Sequence, residues 1–338
     1  MNTSQRKSDH IHIILTEDVT SGISTGLEKY QFEHNALPEI DFNEINLDIS
    51  FLGHSLRMPL LISSMTGGTK EAEQINRILA TVAQESGIAL GVGSQRAGME
   101  DSSAMDSFRV RQYAPDILLF ANIGAVQLNY GFTFRECQLM VDSIQANVLL
   151  LHLNPLQEAL QPEGNTNFSG LLKKIETICK RITVPVVVKE VGWGISGTVA
   201  RRLESAGVAA IDVAGAGGTS WSQVEKFRIR DEMKRRVAAE FVNWGLPTAE
   251  CLIEVKAAVP HLPIIASGGL RSGLDVAKCI ALGASMGGMA GSFLKTAVES
   301  EKKAAELITE IALEIKICMF AAGIKNIDEL KKTALRKI

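Results

Sequence analysis

The sequence predicts an α/β fold, a (β/α)8 TIM barrel with an N-terminal extension, from three observations. Eight short runs of β-branched or aliphatic residues recur along the chain, and segments with apolar residues near a 3.6-residue period lie between them. The runs are apolar on both faces, which is typical of a parallel sheet covered on both sides by helices. Eight such units over residues 58 to about 320 match a barrel of about 250 residues.

The eight predicted strands follow one another between residue 58 and residue 291. In order they are MPLLISSM (58–65), IALGVGS (88–94), DILLFANIG (116–124), NVLLLHLN (147–154), VPVVVKEVG (184–192), AAIDVAG (209–215), LPIIASGG (262–269) and ASMGGMAG (284–291). Helical periodicity is clearest in EAEQINRILATVAQ (71–84), SGLLKKIETICKRI (169–182), TAECLIEVKAAV (248–259) and SGLDVAKCIALG (272–283). The 338 residues alone would suggest two domains, but this pattern favours one barrel.

Two further segments belong to this organisation. We predict that residues 58–338 form the barrel and that residues 1–57 form an extension, whose basic segment RKSDHIH (6–12) folds over the catalytic end. An insert between the sixth and seventh strands, roughly 216–247, contains the charge run EKFRIRDEMKRR. A run of this kind is usually the solvated face of a helix.

Composition excludes several classes of function. A net charge of -3 gives no bulk attraction to nucleic acid or to an anionic membrane, and 46% hydrophobic residues suffice for a large core. The first residues lack the apolar stretch of a signal peptide, and no window of about 18 apolar residues is present, so we expect a cytoplasmic protein. The five scattered cysteines predict buried thiols rather than disulfides or a metal site.

The ends of the predicted strands carry the chemistry. Polar, charged and glycine residues follow the strands in SSMTGG (63–68), GSQR (93–96), ANIG (121–124), HLN with QE (152–158), KE (189–190), AGAGGTSW (214–221), ASGGLR (266–271) and AGS (290–292). The strand starts are apolar or led by Pro59, Pro185 and Pro263. Active sites of TIM barrels form at the carboxyl ends of the strands, so this asymmetry predicts the catalytic face.

Glycine-rich loops at that face predict a phosphate site. SGGLRSG (267–273), followed one unit later by MAGS (289–292), lies after strands seven and eight, where TIM barrels commonly bind phosphate. VGWGISG (191–197) matches G-x-G-x-x-G, but it closes the fifth unit, whereas the Rossmann fingerprint belongs to the first unit of an open sheet. We therefore favour a phosphate site after strands seven and eight over a dinucleotide fold.

Lys189 ends the fifth predicted strand, with Glu190 beside it. A lysine at this position can serve as a Schiff-base nucleophile, as a phosphate clamp or as a cation beside an electron-rich ring. The alternative is that Lys189 forms a surface salt bridge and has no part in function. The residues by themselves leave these roles open.

Several long motifs together resemble the type 2 isopentenyl diphosphate isomerase family. They are RKSDH (6–10), SSMTGG (63–68), GVGSQR (91–96), ANIGAVQL (121–128), HLNPLQEALQPEG (152–164), VVVKEVGWG (186–194), DVAGAGGTSW (212–221) with Glu225, NWGLPT (243–248) and ASGGLRSG (266–273). Ordered motifs over nearly the whole chain are far more specific than any single glycine pattern. Two positions depart from the family pattern, since Asn165 stands where an acidic residue is expected and Leu270 replaces an isoleucine.

The resemblance implies an enzyme that interconverts isopentenyl and dimethylallyl diphosphate with FMN, with NADPH as the reductant and with Mg²⁺. By matching position, FMN is expected to contact Ser64, Met65, Thr66, Ser94, Asn122, Lys189, Thr219, Ser220, Gly268, Gly269, Arg271, Ala290 and Gly291. The substrate is expected to contact Arg6, Lys7, His10, Ser94, Gln95, Arg96 and Gln157. The family also implies a homo-oligomer, a tetramer or octamer.

The resemblance further implies which residues bind the metal and which support the reaction at the carbons of the substrate. Glu158 is expected to be the single protein ligand of Mg²⁺, which usually takes one or two carboxylates and bridges phosphate oxygens. The reduced flavin is the expected acid and base, and the supporting catalytic groups are Gln157, Glu225, His152 and Asn154. The alternative is an FMN-dependent 2-hydroxy-acid oxidase, which needs a catalytic histidine at the catalytic face. His261 precedes the seventh predicted strand and is therefore expected at the opposite face.

Overall fold

A computed structural model describes the backbone of residues 3–338 and the side chains from residue 6 onward; residues 1 and 2 of the predicted extension lie outside it. The N-terminal part contains α1 (Thr3–Thr16), β1 (Tyr30–Gln31), β2 (Ile49–Phe51) and β3 (His54–Leu56). Strands β2 and β3 form an antiparallel hairpin that directly precedes the first strand of the barrel.

Eight parallel strands form a closed barrel, which confirms the predicted fold class. They are β4 (Leu60–Ile62), β5 (Ala89–Gly91), β6 (Leu119–Gly124), β7 (Val148–His152), β8 (Val186–Lys189), β9 (Ala210–Asp212), β10 (Ile264–Ser267) and β11 (Met286–Met289). Each lies within one of the eight predicted runs, which are longer because they include the first residues of the loops. Neighbours in the chain pair with each other, and β11 pairs with β4 to close the barrel.

Helices surround the barrel. Those that follow the extension are α2 (Lys70–Ser86), α3 (Arg96–Glu100), α4 (Phe134–Ile144), α5 (Pro155–Leu160), α6 (Leu171–Arg181), α7 (Gly197–Ser205), α8 (Trp221–Arg228), α9 (Glu232–Glu240), α10 (Thr248–Ala258), α11 (Gly273–Ala281), α12 (Gly291–Glu299), α13 (Glu301–Ala322) and α14 (Ile327–Leu330). The four segments named above for their helical periodicity correspond to α2, α6, α10 and α11. The helices cover the outside of the barrel, and side chains fill its inside, so the strands are buried on both faces. Phe120 and Ile62, for example, are completely buried.

The N-terminal extension runs from the catalytic end of the barrel along its outside. Its helix α1 carries Lys7 and His10 into the wall of a cavity at that end, and the Ser21 N–H then donates to the Gly218 carbonyl. Farther along, Lys278 Nζ donates to the Leu27 carbonyl, and β1 pairs with a C-terminal strand, β12 (Arg336–Lys337). Among the described residues of the extension, those that line the cavities at the catalytic end belong to α1 and to the segment from residue 17 to residue 20. The boundary at residues 57 and 58 stays a prediction.

The insert after the sixth barrel strand contains α8 and α9. Helix α9 exposes every side chain from Glu232 to Val237, so the predicted solvated helix is confirmed. Helix α8 buries Val224 against Ile13 and Val19, and it buries Glu225 next to Gln157. Among residues 3–338, no helix combines the length and apolar character needed to cross a lipid bilayer. All five cysteines carry free thiols, of which Cys137, Cys251 and Cys279 are buried.

Candidate active site

Two adjoining cavities lie at the carboxyl ends of the barrel strands. The larger has a volume of about 480 Å³ and the smaller a volume of about 130 Å³. Lys7, His10 and Lys189 line both cavities, so the two share a wall. A concave site with a few convergent polar groups is the usual form of a small-molecule site. This site has room for two ligands in contact with each other.

The larger cavity collects most of the residues predicted to contact FMN. Ten of the thirteen line it, namely Ser64, Met65, Thr66, Lys189, Thr219, Gly268, Gly269, Arg271, Ala290 and Gly291. Ser94 and Asn122 line the smaller cavity instead. Ser220 lines neither, because its hydroxyl is buried and lies 3.0 Å from the Ser222 hydroxyl at the start of α8. Side-chain contact between Ser220 and a ligand in the larger cavity is therefore not present.

Glycines shape the end of the larger cavity that was predicted to bind phosphate. Gly268 has φ +103°, and a Cβ at this position would lie 2.0 Å from the Gly215 carbonyl oxygen, so a larger residue would displace the loop after β9. Nothing lies within 4 Å of a Cβ built on Gly291, the first residue of α12. The amino end of this helix is thus open toward the cavity, and its N–H groups and dipole favour an anion.

Three buried hydroxyl groups on the β4 side of the larger cavity lack hydrogen-bond partners. They are Ser63 Oγ, Ser64 Oγ and Thr66 Oγ1, and each of these residues lines the cavity. Buried hydroxyls are normally hydrogen-bonded, because an unpaired one costs about 1–3 kcal/mol. Their arrangement therefore fits a polar ligand such as the ribityl chain or ring edge of FMN.

Lys189 is a buried cation rather than part of a surface salt bridge. Its side chain is about 10% exposed, its Nζ donates to the Glu190 carbonyl, and it lies 4.0 Å from Asp212 Oδ2. Lys189 and Asp212 are register partners on β8 and β9, so both side chains point into the barrel. The alternative of a surface ion pair is thus wrong, and Lys189 presents its ammonium to both cavities.

Lys189→Met is expected to lower the free energy of unfolding by about 3–5 kcal/mol near pH 8, because it leaves the Asp212 carboxylate buried without a counter-charge. Burial raises the pKa of Asp212, so without Lys189 this carboxyl should become neutral on acidification. The penalty should therefore shrink as the pH falls from 8 to 5. Urea unfolding at both pH values measures it. The exposed Lys180→Met variant is the control, and an equal, pH-independent loss in both variants would contradict the prediction.

Sequence reasoning assigned no role to two buried carboxylates behind the larger cavity. Glu190 accepts N–H bonds from Val191, Gly192 and Trp193 at 2.6–2.7 Å and so holds the loop after β8. Burial raises the pKa of Glu190 to about 7, although these three bonds oppose the shift. Asp212 is completely buried, and its Oδ1 accepts a bond from Ser267 Oγ at 2.6 Å. The sequence signal for both is an acidic residue at the end of an otherwise apolar strand.

The smaller cavity brings together the residues that follow β7 and the basic residues of the extension. The region from β7 to the residue after α5 contributes His152, Asn154, Gln157, Glu158 and Gln161. The extension contributes Arg6, Lys7 and His10, and the segment from β5 to the start of α3 contributes Ser94 and Arg96. Helix α5 begins after Asn154 with Pro155 at its first position, where the missing N–H of proline costs nothing. This start directs Gln157 and Glu158 inward, and both are buried although polar.

A hydrogen-bonded chain connects these residues to Glu225 on α8. Asn154 Nδ2 donates to Gln157 Oε1 at 3.1 Å, and Gln157 Nε2 donates to Glu225 Oε1 at 3.0 Å. His10 Nε2 lies 3.1 Å from the same Glu225 oxygen. Glu225 itself is completely buried and lines neither cavity, because Gln157 and His10 stand in front of it.

The Glu158 carboxylate is held in one orientation by three donors. Its Oε1 accepts from Asn154 Nδ2 at 3.0 Å, and its Oε2 accepts from Gln161 Nε2 and from the Asn165 N–H. Gln161 thus holds the Glu158 carboxylate from the first position after α5. No cluster of three or more His, Cys, Asp or Glu suited to a metal occurs in the part of the chain that the structure describes. A cation at Glu158 would therefore take most of its ligands from phosphate and water, as Mg²⁺ commonly does.

His152 is a neutral imidazole in this site. Burial, followed by the charges of Lys189, Lys7 and Arg6, lowers the pKa of His152 to about 3. Its Nδ1 lies 2.9 Å from Asn122 Oδ1, and the Asn122 amide is oriented by its own donation to the Val92 carbonyl. Since Asn122 Oδ1 only accepts, Nδ1 of His152 carries the proton and Nε2 is left as an acceptor.

Three cations besides Lys189 line the smaller cavity. Lys7 Nζ donates to the Ser94 carbonyl at 2.6 Å, and Arg96 Nη1 donates to Asn165 Oδ1 at 3.0 Å. Burial and then the charge of Arg96 lower the pKa of Arg6, which still leaves a guanidinium charged. Asn165, where the family pattern has an acid, therefore supports Arg96 without neutralising it.

Gln95 does not reach either cavity, in contrast to its predicted role as a substrate contact. It is completely buried, its Nε2 donates to the Met140 carbonyl at 3.1 Å, and its Oε1 accepts from the Asn122 N–H at 3.1 Å. Both ends of the amide are thus used inside the protein. Gln95 holds the end of β6 in place instead of facing a ligand.

Comparisons with known proteins find relatives over nearly the whole chain. Residues 145–337 match the model of the FMN-dependent dehydrogenase family. The isopentenyl-diphosphate delta-isomerase of a Nostoc species is 55% identical over 330 residues, covering 97% of this chain and 94% of that protein. The isopentenyl-diphosphate delta-isomerase of Oceanobacillus iheyensis is 51% identical over 333 residues, covering 98% of this chain and 95% of that protein.

Among solved structures, mandelate oxidase with (S)-2-phenylpropionate has a similar fold. The TM-score is 0.70 at 18% sequence identity, and the match covers 99% of this chain and 97% of that chain. At this identity the similarity establishes the barrel fold alone.

Proposed function

Since the chain belongs to the isopentenyl-diphosphate delta-isomerase family, and its residues 145–337 to the FMN-dependent dehydrogenase family, we propose that it interconverts isopentenyl and dimethylallyl diphosphate. In this proposal FMN occupies the larger cavity, NADPH reduces it, and Mg²⁺ binds with the substrate diphosphate in the smaller cavity. One observation carries the proposal: a cavity with room for FMN adjoins a smaller one lined by Arg6, Lys7 and Arg96, with the Gln157 amide in the same wall.

The residues of the larger cavity support flavin binding in three ways. The open amino end of α12 suits the FMN phosphate, and the unpaired hydroxyls on the β4 side suit its polar groups. Lys189 would stabilise negative charge on the reduced ring, since its ammonium is buried at the wall that the two cavities share. When bound and reduced, FMN would supply the acid and base that protonate and deprotonate the allylic carbons.

The residues of the smaller cavity would bind and orient the substrate. Arginine and lysine suit a diphosphate, and Glu158 would hold Mg²⁺ against its oxygens. An alkene is a very weak base, so the neutral Gln157 amide would orient the reacting carbons rather than act as a strong acid. His152, neutral through its low pKa, and Asn154, which bonds Gln157 and Glu158, would support that arrangement.

The affinity for isopentenyl diphosphate is expected to fall as the pH rises from 7 to 9. Burial of the Lys7 ammonium and then the charge of Arg6 lower its pKa to about 7, whereas a bound diphosphate favours the protonated form. Binding above pH 7 must therefore take up a proton, at a cost of up to about tenfold in Kd per pH unit. Titration of the holoenzyme at constant Mg²⁺ measures this. Lys7→Arg should remove the slope, because arginine stays charged, and an unchanged slope in that variant would refute the assignment.

An FMN-dependent 2-hydroxy-acid oxidase is the rival function on the same fold. The structure places His261 in the exposed turn before β10, at the opposite end of the barrel. The histidines that line the cavities are His10 and His152, and burial lowers the pKa of both. Neither is thus suited to be a strong base. Reduction of the bound flavin by lactate or glycolate would favour the oxidase.

The decisive experiment records the visible spectrum of the purified protein and follows isopentenyl diphosphate conversion with FMN, NADPH and Mg²⁺ each omitted in turn. We expect a flavin spectrum and loss of activity without reduced FMN or without Mg²⁺. Conversion that does not depend on flavin would reject the proposal. The tetramer or octamer implied by the family is part of the proposal and is tested by sedimentation, and the cytoplasmic location stays a prediction.

A further inference from the structure

Arg228 connects three separate segments at the rim. Its side chain is 3% exposed. Nη1 lies 2.5 Å from Glu225 Oε2 on the same helix, Nη2 lies 3.5 Å from Glu163 Oε1 in the loop after α5, and Nε lies 4.0 Å from Asp9 Oδ2 on α1. A planar guanidinium with five donors suits several carboxylates at once, whereas a lysine offers one point charge. Arg228 lines neither cavity, so any effect on the reaction must pass through another residue.

Glu225 is the partner through which Arg228 reaches the site. Burial alone would raise the pKa of Glu225, but the hydrogen bond with His10, the charge of Arg228 and the hydrogen bond from Gln157 outweigh burial and lower it. The carboxylate is thus ionised at any physiological pH. An ionised carboxylate only accepts hydrogen bonds, so every polar group in contact with Glu225 must donate to it.

Because the Glu225 carboxylate can only accept hydrogen bonds, it favours one orientation of the Gln157 amide. The NH₂ end of Gln157 has to face Glu225, as it does at 3.0 Å, and its Oε1 then accepts from Asn154 Nδ2. With Glu225 protonated, the acid could donate to Gln157 Oε1 instead, and the orientation of the amide would then depend on the Asn154 contact alone. An amide that turned over would present a different face to the smaller cavity, which Gln157 lines.

We propose that Arg228 is a positioning residue that keeps Glu225 an ionised acceptor and thereby holds the Gln157 amide in a single orientation. The proposal rests on the proposed function, in which Gln157 orients the reacting carbons. Its new content is that a residue outside both cavities controls that orientation.

Other charged or titratable groups face Glu225 or Arg228, and the experiment keeps these residues constant. His10 and Arg6 on α1 act on Glu225, and Arg6 also faces Glu158, whereas Asp9 on α1 and Glu163 in the loop after α5 pair with Arg228. The charge of Arg228 also lowers the pKa of His10, so variants in a Glu225→Gln background are needed to separate the titration of Glu225 from that of His10.

The first test compares the pH dependence of kcat for Arg228→Gln and wild-type holoenzyme between pH 5.5 and 8.5. Without Arg228 the pKa of the buried Glu225 should rise, so kcat should fall more steeply toward acidic pH than it does in wild type. At pH 6 we expect a loss of roughly 10- to 100-fold in kcat, with a smaller change in KM. Arg228→Lys should restore part of the activity. The exposed Arg236→Gln variant, whose partner is Glu232 on α9, should behave as wild type.

The second test separates positioning from folding. Glu225→Gln has no titrating group, so adding Arg228→Gln to it should leave kcat unchanged and the pH profile flat. This double variant also removes two opposite charges together, which favours folding if Arg228→Gln alone fails to fold. An acid limb that persists in the double variant, a further tenfold loss on adding Arg228→Gln, or a uniform loss mirrored in KM would overturn the proposal. Failure of wild type to convert isopentenyl diphosphate would instead reject the proposed function.

Discussion

Gln157→Ala is expected to lower kcat for isomerisation by about 10²-fold, the usual cost of misplacing reacting atoms by about 1 Å. Gln157 is buried in the wall of the smaller cavity and bonds Asn154 on one side and Glu225 on the other. Alanine removes the one side chain that joins these groups, and it leaves a gap next to the reacting carbons. Turnover by holoenzyme with reduced FMN, at saturating substrate and Mg²⁺, measures the effect.

A matched control for this variant is Gln138→Ala. Gln138 is half-buried on α4 and bonds Asp142 and Thr183, of which Thr183 precedes β8 at the end of the barrel opposite the site, so its loss should leave kcat unchanged. Binding of FMN and substrate by Gln157→Ala should stay within a few fold of wild type. Full activity of Gln157→Ala with bound reduced flavin would show that the amide has no supporting role.

Glu158→Gln is expected to weaken binding of isopentenyl diphosphate by roughly 30- to 4,000-fold, because loss of one partner of a buried charged contact costs about 2–5 kcal/mol. Three donors converge on the carboxylate, and the NH₂ group of glutamine would face at least one of them. The variant also removes the proposed Mg²⁺ ligand. The substrate Kd as a function of Mg²⁺ concentration measures both effects.

The dependence on Mg²⁺ distinguishes a metal ligand from a structural carboxylate. Tight binding by wild type should require Mg²⁺ and should be lost with EDTA, whereas Glu158→Gln should bind weakly at all Mg²⁺ concentrations. Glu176→Gln, which loses only surface pairs with Lys173 and Lys180, should match wild type. An unchanged Mg²⁺ dependence in Glu158→Gln would assign the metal to other groups.

The fold was predictable because its signals are local. All eight strands and the helices between them follow from runs and periods of apolar residues, which depend only on neighbours in the chain. The direction of the strands also followed, and with it the end of the barrel where SSMTGG (63–68) and HLN (152–154) meet. The path of residues 17–57 was not predictable, because its hydrogen bonds to residues such as Gly218 and Lys278 are distant in sequence.

The site was predictable as a set of residues but not as an arrangement. Most of the residues chosen from the motifs line one of the two cavities, whereas Gln95 and Ser220 have the expected types but point away from both cavities. A sequence motif records which residues a region needs, and it does not distinguish a side chain that touches a ligand from one that supports the backbone behind it.

The sequence by itself determined the barrel, its catalytic end and the family. Only the tertiary structure decided which groups are charged and which partners they have. Lys189 lies beside Asp212 because β8 and β9 pair in one register, and Arg228 meets Glu163 and Asp9 because three segments converge on α8. Burial and pairing set the pKa values of His152 and Glu225, and both depend on atoms that are close in space but far apart in the chain.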